Sequence, residues 1–74
     1  MSYWVKRILL KSGELVTERE LAPDQNRFAG PAPVVGDVVT VTCRGREFDA
    51  KVVWGNWPDR EHGDAVVPIR VEEL

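Results

Sequence analysis

Two strand-like runs joined by Arg44-Gly45-Arg46 fill residues 34–57, VVGDVVTVTCRGREFDAKVVWGNW, and a hairpin here constrains everything else the chain can do. In the first run Val39, Val41 and Cys43 share one face and Thr40 and Thr42 the other. In the second, Phe48, Ala50, Val52 and Trp54 share a face, with Asp49 and Lys51 opposite. β-Branched and aromatic residues dominate both runs, as a pleated, half-buried surface requires. Gly45, between two arginines at the turn, is expected to hold a positive φ.

A chain of 74 residues has room for one core, so residues 1–74 form a single small domain. With 43% hydrophobic and 30% charged residues it is neither disordered nor fibrous. Conformational entropy sets a demanding threshold at this size, and nearly every apolar side chain is needed in the core. Such a chain builds a binding surface more readily than a deep catalytic pocket. The net charge of −2 exerts no global pull toward nucleic acid or anionic membrane. Cys43 is the single cysteine, which excludes an intrachain disulfide and a thiolate metal cluster and points to a reducing, cytoplasmic setting. Ile8-Leu9-Leu10 is too short for a signal-peptide core or a membrane span, so the mature chain is expected to start at Met1.

Residues 3–10, YWVKRILL, predict a strand that ends in a turn at Lys11-Ser12-Gly13-Glu14. Strict alternation puts Trp4, Lys6, Ile8 and Leu10 on one face and Tyr3, Val5, Arg7 and Leu9 on the other, leaving both partly apolar. One face then meets the core and the other is covered by a loop or a partner. Leu15 and Val16 fit the return strand of a short hairpin, while Thr17-Glu18-Arg19-Glu20 has capping-box spacing and fits a helical turn, so strand and short helix both stay open for residues 15–21. Residues 22–33, APDQNRFAGPAP, read as a loop that Phe28 pins to the core. Residues 55–64, GNWPDREHGD, read as a second polar loop. Residues 65–71 give a last strand with Val67, Ile69 and Val71 inward and Pro68 and Arg70 outward, Pro68 arguing for an edge or a bulge. Glu72-Glu73-Leu74 is expected to fray.

Several short strands without a long helix predict an all-β fold, a small antiparallel barrel of four or five strands. Gly36-Asp37-Val38-Val39-Thr40-Val41, the tight turn at Arg44-Gly45-Arg46, and Phe48-Asp49-Ala50-Lys51-Val52 resemble the first hairpin of Tudor, KOW and related SH3-like barrels. That resemblance covers the central hairpin, and it implies an SH3-like barrel and a general habit of binding through aromatics at the barrel mouth, the region of Trp57 and Phe48.

Trp57, with Pro58 and Arg60 beside it, is the leading candidate for a partner-binding anchor, because Gly55, Asn56 and Pro58 should end the strand and leave its indole on a loop. Trp54 then fills the core. The alternative reading of Trp57 is a lid on one end of the barrel. Arg44, Arg46 and Lys51 offer phosphate contacts for a nucleic acid, although Glu47 and Asp49 interleave with them and a solvated charged face explains them as well. His62 lies among Asp59, Glu61 and Asp64 with no second imidazole or thiolate, so it reads as a surface-loop residue and no metal site is expected. Cys43 faces inward and is expected to be buried and structural. Neither a serine-nucleophile motif nor a phosphate-cradling glycine loop is present, so an enzyme is not expected and no cofactor is implied.

The functional expectation is a non-catalytic module that recognises a protein or peptide through the surface around Trp57, Pro58 and Arg60. The alternatives are a nucleic-acid-binding barrel using Arg44, Arg46, Lys51 and an exposed tryptophan, and a structural subunit that docks on a larger assembly through its two-faced first strand.

Overall fold

A computed structural model describes residues 2–21, 27–57 and 66–74 of the chain. They form six strands: β1 (Ser2–Leu9), β2 (Leu15–Val16), β3 (Arg27–Ala29), β4 (Val38–Cys43), β5 (Arg46–Gly55) and β6 (Val66–Glu73), and no helix occurs among the described residues. All belong to one sheet, ordered β2-β1-β6-β5-β4, with β3 also paired to β1. Since β6 runs along β1 from Ser2 to Leu9, β2 and β3 share the other edge, β3 against Ser2, Tyr3 and Trp4 and β2 against Ile8 and Leu9.

The all-β class is as the sequence predicts, but three details differ from the expected antiparallel barrel of four or five strands. There are six strands; β1 and β6 pair in parallel; and the sheet is open, ending at β2 and β4. The extra strand is β3, where Arg27, Phe28 and Ala29 pair with β1 inside what reads locally as a proline-rich loop. Phe28 does pin this segment, stacking on Tyr3 with ring centroids 5.2 Å apart. Of the two readings left open for residues 15–21, Leu15 and Val16 form a strand, and a single turn follows in which Glu20 and Leu21 donate their N–H groups to the Thr17 carbonyl.

The hairpin between β4 and β5 forms as expected, with Val41 opposite Phe48; Cys43 pairs with Arg46, so the turn read as Arg44-Gly45-Arg46 shortens to a two-residue loop. Gly45 has φ 76°, as predicted, and Arg44 also takes a positive φ, 53°. Two left-handed residues match the right-handed twist of the flanking strands, and the twist explains why a non-glycine residue accepts this conformation.

Two β-bulges reset the alternation. One lies between Val5 and Arg7 in β1 and the other between Val52 and Trp54 in β5. An extra residue reverses which parity faces the core. In β1 the buried residues are therefore Val5 and Ile8, three apart and one from each of the two faces that strict alternation gives. In β5 Ala50 and Val52 are buried as expected, but Trp54 turns outward and is 37% exposed, which corrects its assignment to the core.

The core is one-sided. Val5, Ile8, Val16, Val41, Val52, Val67, Ile69 and Val71 are its largest fully enclosed side chains, with Tyr3, Phe28, Val39, Phe48 and Trp57 packed around them. Because a single sheet encloses these residues, it must curl over its own apolar face. Arg44, at the tip beyond β4, spans to the other end of the sheet path: it donates Nη1 to Glu14 (2.6 Å) and Nε and Nη2 to Glu20 (2.6 and 2.9 Å), on either side of β2.

Pro68 does not sit at an edge, since β6 lies between β1 and β5. Its carbonyl accepts the Asn56 N–H at 3.1 Å, so its missing N–H points toward β5 where that ladder, last paired at Gly55 and Ile69, is ending. The C-terminal residues do not fray: Leu74 N–H donates to the Asp49 carbonyl at 3.1 Å, and the Glu73 carboxylate accepts the Lys11 N–H at 3.1 Å.

Candidate binding surfaces

The face of the sheet turned away from the core carries an indole with two cations beside it. The two bulges converge on one residue of β6. Arg70 pairs with Arg7 of β1 just beyond the first bulge and with Trp54 of β5 just beyond the second. The outcome is a cross-sheet row of Arg7, Arg70 and Trp54. A neighbouring row runs Leu15, Leu9, Glu72 and Lys51, fixed by the pairings of β2, β1, β6 and β5.

The Arg70 guanidinium carbon lies 4.4 Å from the centre of the Trp54 ring, and Lys6 Nζ lies 6.0 Å from it, so two cations flank one half-open indole. Arg7 Nε donates to Glu18 at 3.3 Å. The Glu18 carboxyl is held below the usual carboxylate range, first by a backbone N–H and then by Arg7. Arg70 has no such partner: its Nε is buried without a hydrogen-bond acceptor among the described residues. Beside this row a cleft of about 200 Å³ is lined by the apolar Leu9, Leu15 and Val53 together with Arg7, Arg70 and Glu72.

The residues singled out by sequence are placed differently. Trp57 is half-buried; its indole N–H donates to the Pro33 carbonyl at 2.8 Å and its ring lies where a Cβ on Gly55 would fall, 2.5 Å from Cζ2. The indole packs on the core as a lid. Pro58 and Arg60 lie outside the described residues, as does His62.

Arg44, Arg46 and Lys51 are not brought into one patch. Arg44 is held by two carboxylates, which raise its already high pKa further, and its guanidinium in turn holds the Glu20 carboxyl below its ordinary range. Arg46 pairs with Glu73 at 3.3 Å and covers the Phe48 ring at 4.9 Å, on the same parity as the core-facing residues of β5. Lys51 has the opposite parity and stands between Val38 and Glu72 on the outer face.

Cys43 is buried, as expected, and burial pushes its thiol above the ordinary range. No cluster of His, Cys, Asp and Glu able to hold a metal occurs among the described residues, and no helix there is long and apolar enough to cross a membrane.

Alternation alone misses the row of Arg7, Arg70 and Trp54, yet a signal for it exists in the sequence. Lys6-Arg7 between Val5 and Ile8 breaks period two by one residue, which is what a bulge does to a strand pattern, whereas Phe48, Ala50, Val52 and Trp54 keep period two and hide the second bulge. Comparison with family models, with curated proteins and with solved structures finds no match to this chain.

Proposed function

We propose that the chain is a non-catalytic binding module that takes a protein or peptide segment on the outer face of its sheet, with Trp54 as the anchor. The observation that carries this reading is the exposed Trp54 indole on a central strand, oriented by Arg70 and bordered by an apolar cleft. Large rigid aromatics and arginines supply most interface energy when they can be desolvated together. Trp57 supports the same reading indirectly, since its ring and its N–H are engaged within the domain. A catalytic thiolate is disfavoured by the burial of Cys43.

The hairpin's resemblance to SH3-like barrels is retained at the level of shape. A sheet curled over one core with its ends tied through Arg44 fits a partly open barrel, while the parallel pairing of β1 with β6 departs from the antiparallel pattern that the resemblance implies. The cytoplasm is the compartment proposed, from the single reduced cysteine.

The experiment is affinity capture from the native cell with wild type, Trp54→Ala and Trp57→Phe. The reading expects Trp54→Ala to lose the partner while melting within a few degrees of wild type, and Trp57→Phe to retain it. A partner held equally by Trp54→Ala refutes the site.

A further inference from the structure

The geometry points to the ligand class of this face: an acidic–apolar peptide segment whose carboxylate is taken between Arg70 and Arg7 while a neighbouring aliphatic or aromatic side chain enters the cleft of Leu9, Leu15 and Val53. This inference rests on the reading of the Trp54 face as the binding surface and adds the chemistry of what binds there.

Three observations carry it. First, Arg7 and Arg70 are direct partners across the β1–β6 pairing, and like charges placed opposite each other in a sheet repel. Glu18 offsets the charge of Arg7, whereas among the described residues Arg70 has the π face of Trp54 and no carboxylate. Second, the Arg70 guanidinium has its Nε buried without an acceptor among the described residues, and a carboxylate that meets the outer edge of the guanidinium supplies the charge-assisted hydrogen bonds this cation lacks. Third, the adjoining cleft holds about 200 Å³, below the roughly 300–1,000 Å³ typical of small-molecule sites, and suits one side chain rather than a cofactor.

A nucleic acid fits less well. Glu72 lines the cleft and Glu18 occupies Arg7, while Arg44 and Arg46, the strongest phosphate candidates, are committed to Glu14, Glu20 and Glu73. A strand of phosphates needs a continuous cationic track. A single carboxylate needs only Arg70, with Arg7 and Glu18 beside it.

The test selects a phage-displayed heptapeptide library on the full chain and measures the selected peptides by fluorescence anisotropy against wild type, Arg70→Met, Trp54→Ala and Arg46→Met, each checked for folding by far-UV circular dichroism. The expected consensus places Asp or Glu within two residues of Leu, Ile or Phe. Arg70→Met and a Glu→Gln change in the peptide should each weaken binding at least tenfold and combine non-additively, and Arg46→Met should leave it unchanged. Peptides without acidic enrichment, or bound equally by Arg70→Met, overturn the carboxylate assignment; if Trp54→Ala still abolishes their binding, the face itself stands. Failure to select any peptide, or peptides indifferent to both Trp54→Ala and Arg70→Met, overturns the inference and the face together. Tighter binding of a ten-residue oligothymidylate, lost in Arg70→Met and steeply salt-dependent, overturns it in favour of single-stranded nucleic acid.

Discussion

Replacing Trp57 by alanine should destabilise the domain far more than replacing Trp54, the reverse of what the strand pattern suggests. Trp→Ala in a full core loses about 3–5 kcal/mol, and a half-buried indole about half of that. Trp57 also loses its hydrogen bond to the Pro33 carbonyl, worth about 1 kcal/mol net when both groups are partly shielded. The sum is about 3 kcal/mol, which for a domain of this size corresponds to a fall in Tm of roughly 12–24 °C. Trp54 stands outside the core, and its removal forfeits its contacts with Arg70 and Lys6, about 0.5–1 kcal/mol. Urea and thermal unfolding followed by far-UV circular dichroism measure both without interference from the remaining tryptophans. A Trp54→Ala variant as unstable as Trp57→Ala, or less stable, would mean that the bulge between Val52 and Trp54 is absent and the whole outer row is misplaced.

Gly55→Ala should destabilise by about 1–3 kcal/mol, because its Cβ would fall 2.5 Å from a ring that the Pro33 carbonyl holds in place; a Tm within 2 °C of wild type would count against that packing. Gly45→Val should cost about 1 kcal/mol or more for its φ of 76°, read by the same melts. Glu18, Glu20 and Glu73 carry carboxyls lowered by their hydrogen bonds, so their contribution is present above the ordinary carboxylate range and is lost as pH falls through the lowered folded values. Arg44→Ala, which removes the partner of Glu20, should accordingly flatten the acid limb of a Tm-against-pH curve, and a limb unchanged in slope would remove Arg44 as the tie across the sheet ends.

The elements themselves were legible where period two ran unbroken. Val39, Val41 and Cys43, and then Ala50 and Val52, alternate without interruption, and so do Val67, Ile69 and Val71; each faces the core. Gly45 was legible because a tight turn between two strand-like runs calls for a positive φ, which glycine adopts most readily. What a local pattern cannot carry is pairing between distant segments. Nothing in Tyr3 or Ile8 announces a parallel partner more than sixty residues away, and Arg27-Phe28-Ala29, flanked by prolines, becomes a strand only because the free edge of β1 accepts it. The ion pairs of Arg44 with Glu14 and Glu20 likewise depend on the curl of the sheet, which no spacing encodes.

The bulges join the two matters of fold and site. A strict alternation through β1 and β5 would put Trp54 into the core and Arg7 on the same parity as Val5, a buried cation with no evident partner. One inserted residue in each strand avoids both, and each insertion also increases local twist and bends its strand. Because the two insertions flank the same residue of β6, between Ile69 and Arg70 on one side and between Arg70 and Val71 on the other, their effects add at a single point. Placed together, they turn Arg7 and Trp54 onto Arg70. Deleting Val53 removes the extra residue and so tests what the bulge adds beyond parity: Trp54 then follows the inward Val52 directly and keeps its outward place opposite Arg70, and any binding that depends on the outer indole should survive in a folded variant. A folded deletion variant that no longer binds would show that the twist and bend of the bulge, and not parity alone, aim the indole.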